Sequence, residues 1–263
     1  MIRYKGRATV YGELWYDEAV PNEPEVDIVV HRQRTAPLAG ATTTPTLTLA
    51  IDLRTEQSAI MAAFGKDCRY KIRRADTKDG LSLAFVREPA HRLEEFCGFY
   101  DEFADQKGIG HADRQWLRAA CEAGRLVLAA CARNGEALVW HAYLVSGHTA
   151  RLQYTGSCFR GRSTDYRSMV GRANRWLHWH VMLRFKDLGL VCYDWGGLFE
   201  DESAPERAGI NRFKKEFGGE TRRRYDCVVP VTVKGRLWVP IRSWCSALGE
   251  LQSAFVGLAR GSG

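Results

Sequence analysis

The chain has 263 residues, 45% of them hydrophobic and 26% charged, which makes it a globular protein of one large domain or two small ones and excludes a disordered chain. It holds no run of eighteen apolar residues, which excludes an integral membrane helix, and its start, Met1-Ile2-Arg3-Tyr4-Lys5-Gly6, lacks the apolar stretch of a secretory signal, so a cytoplasmic location is expected. Thirty-eight Lys and Arg against thirty-one Asp and Glu give a net charge of +7, a bias toward phosphate-rich partners such as nucleic acid, nucleotides or CoA.

Residues 1 to about 55 are β-prone and irregular, with strands expected at 26–30 and 46–50 either side of a Pro-, Gly- and Thr-rich connection. The pattern then turns helical, and 59–74 reads as one basic helix stopped by Asp79-Gly80. Alternation predicts a strand at 81–86, followed by helices at 91–106 and 112–123; the first gathers Leu93, Phe96, Cys97, Tyr100 and Phe103 on one face. A meander comes next: 126–132, a type I′ turn at Asn134-Gly135, 137–145, a turn at Gly147-His148, and 150–154. A long helix runs to about Leu188 with Gly189 as its C′ residue, and a buried strand at 190–194 closes on Trp195-Gly196-Gly197. A helix at 205–217, strands at 221–230 and about 236–240, and a helix from 242 complete the chain. This order is α+β with a mixed sheet, the long helix crossing over between neighbouring, roughly parallel strands.

Several chemistries are excluded. The eight cysteines form no C-x-x-C pair, so zinc ribbons and thioredoxin-type centres are out. His178 and His180, two apart on a helix, point about 200° from one another, and no metal site is expected. There is no P-loop, no nucleophile elbow and no H-E-x-x-H, and Gly108-Ile109-Gly110 lacks the third glycine of a dinucleotide fingerprint. Lys and Arg cluster at 66–74, 160–175 and 207–224, as solvated helix faces or as tracks for phosphate.

Two segments hold the remaining promise. Tyr193-Asp194-Trp195-Gly196-Gly197 ends a strand in two glycines that let the backbone bend or approach a ligand. Gly209-Ile210-Asn211-Arg212-Phe213-Lys214-Lys215-Glu216-Phe217-Gly218-Gly219-Glu220 then carries cations beside phenylalanines, either as a site or as a basic amphipathic helix on a core. Together they resemble the Fem-type (FemABX) branch of the GNAT acyltransferase superfamily. Upstream, Leu152-Gln153-Tyr154-Thr155-Gly156-Ser157 is similar to the family's Tyr-containing strand, Ala173 to Trp179 to its long helix, and Arg73-Arg74-Ala75 before Asp79-Gly80 to its basic helix end. The resemblance covers about 120–228, extends more weakly over 60–90 and is absent over 1–55. It implies a GNAT-like mixed sheet with flanking helices, divided into a shortened N-terminal GNAT-like half at 1–94, a complete unit at 95–240 and a C-terminal helix at 241–263.

The resemblance further implies transfer of an aminoacyl group from charged tRNA to an amine on a small molecule or peptide, with no tightly bound cofactor. It places Phe213 and Lys214 at the transfer centre, Tyr154 and Arg114 on substrate, and Gly196, Gly197 and Arg212 beside it. Position 118 is Arg where the family often has an aromatic residue, a departure that bears on the acceptor. Aminolysis of an ester passes through a tetrahedral oxyanion that needs preorganised donors; the Lys214 ammonium and backbone N–H groups at Gly196-Gly197 are the candidates. Asp194 or Glu200 is the candidate proton acceptor, although a carboxylate at a strand end equally serves as a cap or ion-pair partner. Arg73, Arg74, Arg160, Arg162 and Lys215 are the candidate phosphate and tRNA contacts. Two alternatives remain open: an acyl-CoA or acyl-carrier-protein donor, for which Ser168-Met169-Val170-Gly171-Arg172-Ala173 has the small residues of a pyrophosphate-binding turn, and a non-catalytic RNA-binding module.

Overall fold

The first fifty residues hold twice the expected number of strands: β1 (Ile2–Lys5), β2 (Val10–Trp15), β3 (Ile28–Arg34) and β4 (Thr42–Asp52). The computed structural model describes residues 1–6, 8–22 and 25–239. β2 escapes detection because its centre is Glu13, a carboxylate buried to 2% exposure, which breaks the alternation of apolar and polar residues. That burial is compensated: Trp116 Nε1 donates to Glu13 at 2.8 Å, Arg32 at 3.1 Å and the Tyr4 hydroxyl at 3.1 Å.

The single basic helix expected at 59–74 is two helices, α1 (Gln57–Ala63) and α2 (Lys66–Lys78). They break at Phe64-Gly65, where the Phe64 ring sits edge-on to Trp179 and Phe217 and the Gly65 N–H donates to the Glu216 carbonyl at 2.7 Å. Tertiary anchoring overrides the helical propensity there. β5 (Leu81–Val86) follows, then a 3-10 turn and α3 (Leu93–Lys107), and then α4 (Arg114–Glu122), capped by Asp113, whose side chain accepts from the Trp116 N–H at 2.9 Å. β6 (Leu126–Arg133) and β7 (Glu136–Ser146) are joined by Asn134 (φ 51°) and Gly135 (φ 83°), the left-handed pair that a type I′ turn demands. β8 (Thr149–Ser157), α5 (Thr164–Asp187), β9 (Cys192–Leu198), α6 (Pro205–Lys215) and β10 (Glu220–Pro230) complete the core. The strand expected at about 236–240 is a correction: 233–239 are helical. Thr232 starts that helix, its hydroxyl accepting from the Gly235 N–H at 3.1 Å and its carbonyl from the Arg236 N–H at 3.0 Å. The helix expected from 242 lies outside the described residues.

The ten strands among the described residues form one mixed sheet in the order β1-β2-β3-β10-β4-β9-β8-β7-β6-β5. β2 and β3 are parallel, as are β8 and β9, whose crossover is α5; the remaining neighbours are antiparallel. α2 and α5 cover one face over a core that includes Phe64, Ile72, Leu177, Phe185, Trp195 and Phe217. α3 and α4 cover the other, over Phe96, Tyr100, Leu117, Trp140 and Tyr154. β4, from the first fifth of the chain, lies between β9 and β10. Among the described residues no helix is long and apolar enough to cross a membrane.

Candidate active site

β8 and β9 run side by side for only three residue pairs, the last of which is Arg151 opposite Asp194. β8 continues to Ser157 and β9 to Leu198, so the two strands part just beyond that pair and open the sheet at its middle. Gly196 stands at the parting with φ 77°, and a Cβ built there would lie 3.0 Å from the Leu152 carbonyl oxygen and 4.0 Å from both Arg151 NH2 and Lys214 Nζ. Only glycine fits that backbone at that distance. Gly196→Ala is expected to destabilise the fold by about 1–3 kcal/mol, the range for a forced left-handed residue. Urea unfolding checks this; an unchanged midpoint shows that the bend relaxes freely.

Asp194 is 1% exposed and accepts hydrogen bonds from the Tyr16 hydroxyl at 2.7 Å, from Arg151 NH1 at 2.8 Å, from the Thr48 hydroxyl and from the Gly196 N–H at 2.8 Å. Burial by itself raises the carboxyl pKa, but the Arg151 charge and these donors outweigh it and hold the group below its ordinary value. The Tyr16 hydroxyl is driven well above its ordinary value by burial and by the Asp194 charge. Arg151 also donates to Gln33 at 3.2 Å. The cluster thus joins β3, β4, β8, β9 and the turn after β2 at one point. Asp194 is an anchored carboxylate, and the Gly196 N–H, expected as an oxyanion donor, is already committed to it.

Lys214 comes from α6 and is 6% exposed, its ammonium donating to the Gly197 carbonyl at 2.6 Å. Burial, then the Arg151 cation, lower its pKa from 10.5 to about 7, with Asp194 opposing. Phe213 packs against Trp195 at 6.0 Å and Phe217 at 5.7 Å between ring centroids, and the Arg175 guanidinium lies 4.8 Å from the Phe213 centroid. Behind them is a buried polar chain: the His178 Nδ1 meets the Tyr193 hydroxyl at 2.7 Å, Tyr193 meets Tyr143 at 3.0 Å, and His141 Nδ1 meets Tyr143 at 2.8 Å. His178 is held well below its ordinary pKa by burial, then by His141, Arg175 and Lys214, so it is neutral. No sequence pattern marks this chain of rings, because His and Tyr at helical or strand spacing look like ordinary core residues.

The expected residues therefore divide. Asp194, Gly196, Gly197, Phe213 and Lys214 converge at the strand parting. Tyr154 does not join them: a bulge at Gln153 shifts the register with β7 and turns Tyr154 into the α3–α4 core, where it packs on Tyr100 at 5.0 Å and its hydroxyl accepts from the Asp113 N–H at 3.2 Å. Arg114 lies on that side too, paired with Asp101 at 2.5 Å. Glu200 is on the surface, 3.4 Å from Arg223. Arg212 is exposed on α6, and Lys215 pairs with Glu202 at 3.1 Å. Arg73 and Arg74 are exposed on α2, whereas Arg160 lies against Phe103 and Phe159 and Arg162 against Tyr166. Arg151, Tyr16 and Thr48 went unnoticed in the sequence. Only Arg151 carried a signal, the lone charge within an otherwise uncharged strand.

A cavity of about 380 Å³ opens between α2 and α5, lined by Tyr70, Lys71, Arg74, Ser168, Gly171, Arg172 and Arg175. It brings the first two basic clusters together. Arg172 is held there by a bidentate pair with Asp79 (2.6 and 2.9 Å), and Arg175 by Glu216 at 2.7 Å, next to α6. A second cavity of about 400 Å³ lies between β5 and the end of α5, lined by Leu83, Phe85, Arg87, Arg184, Asp187 and Leu188.

Residues 62–215 match the family described as the acetyltransferase (GNAT) domain. No curated protein matches the sequence. The fold is similar to the crystal structure of FemX, with a TM-score of 0.57 and 14% identity over 74% of this chain; the chain spans 63% of the FemX chain. It is also similar to the C-terminal domain of a putative lysylphosphatidylglycerol synthetase from Agrobacterium fabrum (TM-score 0.54, 12% identity, 89% of this chain and 75% of that one). The L-PGS structure from Bacillus licheniformis is a third likeness (0.51, 14%, 86% and 74%).

Proposed function

Because the chain belongs to the acetyltransferase (GNAT) domain family and is an acyltransferase, we propose that it transfers an aminoacyl group from charged tRNA to an amine acceptor where β8 and β9 part. The observation that carries this reading is Lys214, an ammonium buried beside a two-glycine bend with one of its three donors on the Gly197 carbonyl. The acceptor amine attacks the ester carbonyl carbon and a C–N bond forms. Negative charge collects on the carbonyl oxygen, where the remaining Lys214 N–H groups stabilise it. The oxyanion then collapses and the C–O bond to the ribose breaks. The proton lost by the amine goes to the departing ribose oxygen. Asp194 acts by position, fixing Gly196 and Arg151, because its depressed pKa makes it a weak base. Phe213, packed with Trp195 and Phe217, excludes water from the intermediate. In this reading residues 1–94 are a shortened half that lends Tyr16, Thr48 and β4 to the unit at 95–240.

One observation favours tRNA over CoA. α5 starts at Thr164, so the turn at 168–173 lies inside the helix, and its N–H groups are spent on intrahelical bonds; even the Arg167 N–H donates to the Ser163 carbonyl at 3.0 Å. That leaves the motif no free backbone donors for a pyrophosphate. The test is transfer of label from bulk tRNA charged with radiolabelled amino acids to an amine-linked product in the presence of metabolite extract. Thiol release from acyl-CoA without label transfer from tRNA overturns the donor assignment. Binding of bulk tRNA is expected to weaken steeply with salt. With about five phosphate contacts, the slope of log affinity against log salt is about −4; a flat response in filter binding removes the tRNA contact surface.

A further inference from the structure

The cavity between α2 and α5 has a composition that the transfer chemistry does not use. Its volume, about 380 Å³, is at the lower end for small-ligand sites. Tyr70 on its wall is 58% exposed, unusual for a large aromatic side chain, while its neighbours on α2, Cys68 and Ile72, are fully buried. Facing it are Arg172 and Arg175, each fixed by a carboxylate: Asp79 takes Nε and NH2 of Arg172, and Glu216 takes Nε and NH2 of Arg175. Lys71 is tied to Asp67 at 2.6 Å. Arg74 is exposed on the same wall, and among the described residues no ion pair holds it. The cavity thus offers an open π-face, a preorganised guanidinium wall and one uncommitted cation. This is the chemistry that takes a base on an aromatic ring and its phosphate on arginine.

We propose that this cavity binds one phosphorylated nucleoside of the acyl donor, its base stacked on Tyr70 and its phosphate held by Arg74 and Arg172. The inference rests on the proposed donor chemistry and deepens it. The 3′ end of tRNA and the nucleotide of CoA share this moiety. It assigns to α2, a helix contributed from outside the 95–240 unit, the task of holding the donor while α6 supplies the lysine.

The test uses the full chain and calorimetric titration with three probes: a CCA trinucleotide, CoA and inorganic pyrophosphate. Tyr70→Ala is expected to weaken nucleotide binding about 5- to 150-fold, the range for loss of one stacked base, and to leave pyrophosphate binding as it was. Arg74→Ala is expected to weaken all three probes. Arg184→Ala, in the other cavity, changes none. Thermal unfolding of each variant separates lost binding from lost folding, and Tyr70→Phe, which keeps the ring, restores the affinity lost in Tyr70→Ala. Tyr70→Ala with wild-type affinity, or a wild-type chain that binds neither nucleotide, overturns the proposal even if label passes from tRNA. Tighter binding of CoA than of the trinucleotide keeps the site and overturns the tRNA donor. Nucleotide binding that depends on Tyr70 and Arg74 without any acyl transfer keeps the site and overturns the reaction.

Discussion

Lys214→Met is expected to slow acyl transfer by about 100- to 1000-fold in single-turnover kinetics, the loss that follows removal of one oxyanion donor. The methionine keeps the apolar stem beside Phe213 and removes only the charge. The pH dependence is equally specific. In the proposed mechanism the ammonium is the active form, and burial, then Arg151, lower its pKa to about 7. Transfer therefore falls as pH rises through about 7, and the variant loses that limb of the profile. Stability moves in the opposite direction. The folded state binds this proton more weakly than the unfolded chain does, so the buried charge costs stability below about pH 7, where both states are protonated. That cost fades as pH rises from there toward 10.5. Lys214→Met thus holds or raises the melting temperature at pH 6 and changes it least at pH 10. A wild-type transfer rate in the variant removes Lys214 from the chemistry. Arg87→Met, on the rim of the other cavity, is the charge-matched control and leaves the rate unchanged.

Arg151→Met has the largest effect on folding. It strips the 2.8 Å ion pair from Asp194, whose side chain is 2% exposed, and leaves an uncompensated carboxylate in the middle of the sheet. Breaking such a pair from one side costs about 3–5 kcal/mol, a drop of roughly 6–20 °C in melting temperature for a chain of this size. The double variant Arg151→Met/Asp194→Asn recovers much of the loss because no buried charge remains. Calorimetric unfolding of the two single variants and the double variant gives the coupling directly. If the single variant melts with the wild type, water reaches Asp194 and the cluster is not sealed.

Legibility in the sequence followed the reach of each interaction. The meander at 126–157 was readable because its information is local: alternating residues and the Asn134-Gly135 turn. The crossover by α5 was readable from helical spacing and from Gly189, which has the expected left-handed φ of 79°. The first fifty residues were half hidden, because Glu13 occupies a buried position explained by Arg32, by Tyr4 and by Trp116, the last over one hundred residues away. The same holds at the candidate site. Lys214 and the two glycines stand in two neighbouring segments, but Arg151 and Thr48 meet Asp194 from distant strands and Tyr16 from the turn after β2. Tyr154 lies apart from Lys214 through a single bulged residue, since one extra position in a strand sends the next side chain to the opposite face.

The placement of β10 between β3 and β4, and of β4 between β9 and β10, sets the order of events as the chain leaves the ribosome. β3 and β4 emerge early, yet neither finds its shared neighbour until residue 230 has been made. Until then two long strand edges wait, one of them the eleven residues of β4, with the chemistry that promotes pairing between chains. Such long-range closure slows folding, and the site is assembled only at the last step because Lys214 and β10 arrive together. A fragment cut to the family-matched span of 62–215 omits both β4 and β10. It exposes the β9 edge and carries the lysine without Thr48 or Tyr16 to hold Asp194, and it is expected to aggregate, as light scattering beside the whole chain would show.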